Sequence, residues 1–217
     1  MKLSGIFLYP DLVEYRSPAA LSFRNQTRFI CHYVQRYPAA RTFQTDGFNK
    51  ICVVCKREPE ELTYKNSSKA LIAEVGFDMA EYESLATEQL PAYFISLLEA
   101  GMGKCSRDQH ISAEYFQEAI QSFKADNFKN EWVYAKKAFR VEGLTCTLQC
   151  ALDMSCFRLI LEIERHGQLV YSQEILRTLP DELIYTHRFK DIKLEGEAVV
   201  VQDKFGKPLV TVPLQGL

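Results

Sequence analysis

The chain has 217 residues, enough to bury a full core in one large domain or two small ones. Hydrophobic residues make up 47% and charged residues 25%, a globular composition that argues against wholesale disorder. A net charge of −2 argues against direct nucleic-acid binding by overall attraction, which needs a basic stripe. No apolar run is long enough for a transmembrane helix, so no membrane partner is expected.

The N-terminus and the cysteines predict a cytoplasmic protein. Residues 2–9 form a short apolar stretch broken by Gly5, which favours a first strand over a signal peptide. The seven cysteines are odd in number and irregularly spaced, and nearly all lie in apolar runs. This usage indicates reduced thiols in a core rather than a disulfide framework.

The first third of the chain alternates strand and helix patterns. Apolar residues at helical spacing predict a helix from about Asn25 that ends at Pro38, because proline and the residue before it disfavour helix. Residues 41–45 and 48–57 predict a hairpin around a Thr-Asp-Gly turn. Residues 69–77 alternate in the manner of a further strand.

Three helices are predicted next, over about residues 78–126. Asp78, Thr87 and Ser112 each precede a helical pattern and can cap its first turn with a side-chain oxygen. The helix that begins at Thr87 is predicted to end at Gly101, since glycine commonly terminates helices.

From Asn130 onward the chain changes to strand patterns joined by short turns. Four consecutive strands are predicted at 132–142, 144–151, 156–165 and 168–175, and a hairpin pairs 196–202 with 208–214. His166 and Gly167 supply the turn between the third and fourth strands. Sequential strands with short turns are typical of an antiparallel meander.

The pattern as a whole predicts an α+β fold. N-terminal strands plus three or more helices are followed by a C-terminal antiparallel β-meander. We expect an α/β subdomain over residues 1–128 and an antiparallel β subdomain over 129–217. No Pro/Gly/Ser linker marks the boundary, so one continuous domain is the alternative.

No motif predicts a catalytic residue, a metal site or a cofactor. Cys52 and Cys55 form a CxxC, but two valines separate them in a predicted strand, where residues three apart point to opposite faces. The glycines at 101 and 103 follow a helix instead of leading from a strand into one, so they do not form a phosphate loop. A Cys–His pair assembled by the fold remains the enzymatic alternative, a cytosolic thiol-dependent hydrolase or transferase.

Charge is distributed unevenly along the chain. Residues 70–103 contain six acids and no Lys or Arg, a local charge of −6 in a chain of net −2. The six acids are Glu74, Asp78, Glu81, Glu83, Glu88 and Glu99. They could simply solvate the outer faces of helices and favour helix N-termini. Alternatively, they form an acidic docking surface for a basic protein, where complementary charge raises association rate and specificity.

The order of elements resembles that of bacterial immunity proteins, the cytosolic antidotes encoded beside contact-dependent, type VI or Rhs-type toxins. The resemblance begins with ALIAEVGFDMAEY at residues 70–82 and a helix ending LLEAGM. It continues through a Phe-rich helix, WVYAKK from Trp132, and a meander that closes with GKPLVTV. It covers about two-thirds of the chain as a pattern of apolar positions, so no catalytic residue is carried over.

The resemblance implies that the protein binds one cognate toxin and neutralises it by occluding its active site. An acidic surface suits a nuclease toxin, because a site shaped for phosphates is basic. Flanking aromatics would then serve as hot spots. The predicted partner-binding residues are Glu74, Asp78, Glu81, Tyr82, Glu83, Glu88 and Tyr93. A structural or adaptor subunit of a bacterial assembly is the further alternative.

Overall fold

The computed structural model describes residues 1–38 and 44–215 and divides the chain into two compact units, Met1–Asn130 and Glu131–Leu217. The predicted α+β class is confirmed, since strands and helices share the N-terminal unit and antiparallel sheets fill the C-terminal one. Within the described ranges, no helix is long and apolar enough to cross a membrane.

The N-terminal unit contains one sheet and five α-helices among its described residues. Its strands are β1 (Gly5–Pro10), β2 (Lys50–Lys56), β3 (Tyr64–Lys65) and β4 (Ala70–Gly76). Its helices are α1 (Pro18–Gln26), α2 (Arg28–Arg36), α3 (Met79–Ser84), α4 (Leu90–Gln109) and α5 (Glu114–Ala125), with a 3₁₀ turn at Thr87–Gln89. The strand order is β1-β2-β4-β3, in which the first three are parallel and β3 is antiparallel to β4.

The central strands of this sheet are apolar on both sides, as expected for a parallel sheet buried on two faces. Ile51, Val53 and Cys55 on one face of β2 are all 0% exposed, and Cys52 and Val54 on the other face are 7% and 8% exposed. Helix α4 packs against β2 and β4, while α1 and α2 pack against β1. Between α1 and α2, the Thr27 hydroxyl donates a 2.7 Å hydrogen bond to the Leu8 carbonyl and ties the helix pair to β1.

Residues 48–57 were predicted to pair antiparallel with residues 41–45 in a hairpin. The strand is observed as β2, but the predicted pairing is wrong. Strand β2 lies between β1 and β4 and is parallel to both, which leaves no side free for an antiparallel neighbour. The predicted turn does bend the chain, because Gly47 adopts φ +75. The chain then enters the sheet instead of pairing back. Residues 39–43, which include most of the predicted first strand, lie outside the described residues.

The predicted helices are present, with two corrections. The helix expected from about Asn25 is observed as α2, and the helix before it, α1, was not predicted. Helix α4 does not end at Gly101 but continues to Gln109, and His110 adopts the left-handed conformation that closes it. Gly101 therefore lies inside the helix, and glycine is required there because any larger side chain would collide with Val53.

The capping predictions agree with the structure in part. The Asp78 carboxylate accepts a 2.8 Å hydrogen bond from the Ala80 N–H and caps α3. The Ser112 hydroxyl accepts from Glu114 N at 3.3 Å, in the first turn of α5. Thr87, in contrast, begins the 3₁₀ turn that precedes α4, and its side chain makes no cap.

The C-terminal unit consists of two antiparallel sheets. One has the order β5-β6-β7-β8, formed by Glu131–Phe139, Leu144–Leu152, Phe157–Arg165 and Gln168–Thr178. The other has the order β11-β10-β9, formed by Asp191–Glu195 (β9), Ala198–Gln202 (β10) and Pro208–Pro213 (β11). The predicted meander and C-terminal hairpin are confirmed, whereas β9 and the short helix α6 (Glu182–Tyr185) were not predicted.

Aromatic stacking holds α6 and the segment after it onto the first of these sheets. The Phe157 ring of β7 stacks on Tyr185 at 3.7 Å and lies 5.6 Å from Phe189, with nearly parallel planes. All three side chains are buried. Burial of each such aromatic removes a large apolar area from water, which explains why this segment folds back over β7.

Candidate functional site

The segment without basic residues, 70–103, forms β4, α3, the 3₁₀ turn and the first two-thirds of α4. It begins inside the sheet and leaves it at the carboxyl end of β4, the edge where open α/β sheets commonly place their functional groups. The seven predicted partner-binding residues separate here into a buried set and an exposed set.

Glu74 lies in the buried set. It is 3% exposed, and its carboxylate accepts hydrogen bonds from Lys56 Nζ at 3.2 Å, Glu60 N at 2.9 Å and Tyr64 OH at 3.2 Å. Burial opposes ionisation, but the Glu60 N–H and the Lys56 ammonium outweigh it and hold the pKa of Glu74 below its usual range. This corrects the assignment of Glu74 to an exposed docking surface.

Glu74 belongs to a small ionic cluster at the ends of the three parallel strands. Lys56, at the end of β2, also lies 3.6 Å from Asp11, which follows β1. The hydrogen bond to Glu74 raises the pKa of Lys56 and keeps its ammonium charged. The cluster is therefore satisfied internally, and it fixes the strand ends relative to one another.

We expect Lys56→Met to lower the free energy of unfolding by about 2 kcal/mol, because it leaves the buried Glu74 carboxylate without its counter-ion. The effect should fall short of that of a fully buried pair, since the Lys56 side chain is 24% exposed. Urea denaturation followed by far-UV circular dichroism measures it. Lys50→Met, at the exposed opposite end of the same strand, is the control and should have little effect. Equal losses in the two variants would refute the structural role of the pair.

Tyr82 also lies in the buried set, with 6% of its surface exposed. Its hydroxyl donates a 2.8 Å hydrogen bond to Gln26 Oε1 of α1, and its ring meets Phe23 edge-on at 5.1 Å. Tyr82 therefore fastens α3 to α1. This corrects its assignment as an interfacial hot spot, since the ring is not accessible to a partner.

Tyr93 occupies an intermediate position at the N-terminal end of α4. Its ring packs against Phe77 and Phe94, with centroid separations of 6.5 and 6.3 Å. Burial, assisted by the nearby Glu81 carboxylate, raises its pKa, so the hydroxyl stays protonated. That oxygen is buried and has no hydrogen-bond partner among the residues that the structure describes.

The remaining four acids, Asp78, Glu81, Glu83 and Glu88, are exposed. Asp78 caps α3, Glu81 and Glu83 lie on that helix, and Glu88 follows in the 3₁₀ turn. None of the four forms an ion pair within residues 1–38 and 44–215. Glu99 differs, since it pairs with Lys124 of α5 at 3.5 Å. We call these four unpaired carboxylates the acidic surface.

The cysteines offer no exposed nucleophile. All seven are buried, and burial raises the pKa of Cys105 to about 12 and that of Cys146 to about 11. Burial also raises the pKa of Cys52 and Cys55, which lie on opposite faces of β2 as strand geometry requires. Thiols held in this way remain protonated and unreactive near neutral pH.

One polar cavity of about 260 Å³ lies beside the end of α4. It holds His110 together with Lys65 and Asp46, but no cysteine lines it. In the described part of the chain, no three His, Cys, Asp or Glu side chains converge to hold a metal ion. The cavity thus lacks the Cys–His pair that a thiol-dependent enzyme requires.

The described residues present an unpaired acidic surface at the carboxyl edge of a parallel sheet, together with seven buried thiols, four of which have a raised pKa. Comparison of the chain with protein-family models, with curated proteins and with solved structures finds no match.

Proposed function

We propose that this protein is a non-catalytic cytoplasmic binding protein that recognises a basic macromolecular partner through its acidic surface. The observation that carries the proposal is the exposure of Asp78, Glu81, Glu83 and Glu88, none of which pairs with a base among residues 1–38 and 44–215. Of the four, only Asp78 makes a hydrogen bond that the fold uses, the cap of α3. Glu81 and Glu88 lie in the first turns of α3 and of the 3₁₀ turn, where negative charge is favourable, but no base of the described residues pairs with them or with Glu83.

A basic partner would supply the opposite charge that these carboxylates lack within the described residues. Complementary charge accelerates diffusional encounter and disfavours wrong partners, and its influence falls with salt, because the Debye length is only about 8 Å at physiological ionic strength. Tyr93 lies at the border of the surface, but its hydroxyl oxygen is buried and so is not available to a docked protein.

The partner we propose is a cognate bacterial toxin, and among toxins a nuclease. The resemblance of the element order to immunity proteins supports the class. Exposed carboxylates support the nuclease, because they can occupy a basic cleft shaped for phosphates and so block substrate. Such inhibition needs neither a cofactor nor a catalytic residue.

Two other functions predict different observations. A thiol-dependent hydrolase or transferase is disfavoured by the burial of all seven cysteines and by the raised pKa of Cys52, Cys55, Cys105 and Cys146. A structural or adaptor subunit would use an acidic surface equally well. It would be recognised by stable co-elution with several neighbouring gene products in size-exclusion chromatography, where a toxin antidote would elute with one.

We expect Glu81→Lys to weaken partner binding about tenfold, because it replaces an attraction with a repulsion at the acidic surface. Adding Glu88→Lys should weaken it further. The partner is first captured from lysate of the native cell on the tagged protein, identified by mass spectrometry, purified, and titrated by calorimetry at low and physiological salt. The wild-type affinity should fall as salt rises.

Glu118→Lys is the matched control for this experiment. Glu118 is an exposed acid on α5, so the substitution changes the net charge equally but outside the acidic surface. Its affinity should remain that of the wild type. Unchanged affinity of the Glu81→Lys, Glu88→Lys double variant would refute the surface. A captured partner without nuclease activity would refute the nuclease but not the surface.

A further inference from the structure

The outermost strand of the larger C-terminal sheet, β8, presents a free edge, which bulges interrupt at only two positions. It is the longest strand described, with 11 residues, and only Leu176 among them is buried. Its side away from β7 has no neighbouring strand in the described chain. Alternate backbone N–H and C=O groups therefore point outward and are available to another strand.

Other outer strands carry features that discourage strand addition. Strand β1 is covered by α1 and α2, and β3 has only two residues. Strand β5 carries Lys136 and Lys137, β9 carries Asp191, Lys193 and Glu195, and β11 begins and ends with proline. These are the usual protections of a free edge. Residues 168–173 of β8 have neither charge nor proline, and Leu169 and Val170 among them are exposed.

The pairing of β8 with β7 limits where a further strand can add. Val170 and Ile175 have no partner in β7, so a bulge lies at each position. Between the bulges, Tyr171–Glu174 pairs regularly with β7. Glu174 is already neutralised within its own strand by Arg177, at 2.8 Å. The regular stretch between the bulges is thus the place where a new strand can continue the sheet.

We propose that β8 pairs antiparallel with β8 of a second copy of this chain around Ser172, so that two four-stranded sheets join into one sheet of eight strands. A two-fold axis perpendicular to the sheet keeps identical residues on the same face and places one residue opposite itself. Ser172 suits that position because it is small, exposed and uncharged.

This register is self-complementary. Within the regular stretch, Tyr171 lies opposite Gln173 of the second copy. Glu174 lies two residues from Ser172 in each copy, so the two Glu174 residues are about four residues apart along the paired strands, roughly 13 Å at strand rise. No like charges meet across the axis. The inference concerns the C-terminal unit and is independent of the proposed function.

The test is the oligomeric state of the full chain, measured by sedimentation velocity over a wide range of protein concentration. The wild type should form a dimer. Ser172→Lys and Ser172→Glu should each weaken dimerisation at least about tenfold, because each places two like charges directly opposite. An equimolar mixture of the two variants should restore dimers, since unlike charges then meet across the axis.

Thr211→Lys, an equivalent change at an exposed position of the outer strand β11, is the control and should remain dimeric. Far-UV circular dichroism confirms that every variant is folded, and restoration in the mixture excludes misfolding as the cause. A monomeric wild type at all concentrations overturns the proposal, even if the protein then captures foreign peptide strands. So does a dimer that Ser172→Lys leaves intact.

Discussion

Gly101→Ala is expected to lower the free energy of unfolding by about 2 kcal/mol, a large loss for one methyl group. A Cβ atom at Gly101 would lie 2.5 Å from Cγ2 and 2.6 Å from Cγ1 of Val53. Val53 is 0% exposed in the central strand β2, and its branched side chain has little rotameric freedom. The clash can therefore be relieved only by moving α4 away from the sheet, which opens gaps between buried side chains.

Gly103→Ala is the matched variant and should have the opposite sign. Gly103 lies two residues further along α4 and is exposed, and a methyl group on its Cα would meet no atom of a neighbouring element within 4 Å. Alanine in a helix interior is favoured over glycine by up to about 1 kcal/mol, so this variant should be stabilised. Urea denaturation followed by far-UV circular dichroism compares the two. Stabilisation by both substitutions would show that α4 is not pressed against β2 at Gly101.

The same glycine shows why sequence reasoning misplaced the end of α4. Glycine after an apolar helical run commonly marks a terminus, and the local pattern contains nothing to contradict that interpretation. The contact that requires glycine is with Val53, 48 residues earlier in the chain. Local signals predicted the start of α3 and the C-terminal meander, because caps and short turns act between neighbours in sequence.

Such local signals could not predict the strand order of the N-terminal unit. A Thr-Asp-Gly turn before β2 favours a hairpin, but β2 pairs in parallel with β1 and β4. Parallel neighbours are joined by long connections, so no short-range pattern identifies them. Glu74 was assigned to the surface for the same reason. It lies on a strand buried on both faces, and its counter-ion Lys56 comes from the neighbouring strand, which the local sequence does not reveal.

The acidic segment was recognised by its lack of bases, which is a property of composition alone. Which of its members are accessible depends on packing. Tyr82 follows the helical spacing of Met79 and Leu85, yet only the structure shows that it contacts Gln26 and Phe23 of α1. The acidic surface is smaller than the predicted set and consists of acids alone, since it loses the tyrosines Tyr82 and Tyr93 and the neutralised carboxylate of Glu74.

A second large effect is expected from His32, which should make the protein less stable as the pH falls below neutrality. Burial, together with the neighbouring Arg36 guanidinium, lowers the pKa of His32 to about 4. Asn130 donates from Nδ2 to the Phe29 carbonyl at 2.7 Å, and its Oδ1 accepts from Arg36 at 3.2 Å. With the amide fixed in this orientation, Nδ2 faces His32 Nδ1 at 3.2 Å, so that ring nitrogen must accept and be unprotonated.

The direction of this pH dependence follows from the linkage between folding and proton binding at His32. The unfolded chain binds a proton at His32 near pH 6.5, whereas the folded chain does so only near pH 4. Stability is therefore fully present above pH 6.5, declines between these values and levels off below pH 4. The full shift corresponds to about 3 kcal/mol, and because part of the imidazole remains accessible to solvent we expect about 2 kcal/mol.

Carboxylates titrate in the same pH range, so the decisive quantity is the difference between the wild type and His32→Asn. Asparagine keeps an acceptor opposite Asn130 but does not titrate. Between pH 7 and pH 4, the free energy of unfolding of this variant should therefore fall by about 2 kcal/mol less than that of the wild type. His110→Asn is the control, because His110 is exposed and asparagine tolerates its left-handed φ of 52. It should keep the wild-type pH dependence. Imidazole resonances followed by NMR should show one of the four histidines titrating near pH 4, and a His32 that titrates near pH 6.5 would remove the basis for both effects.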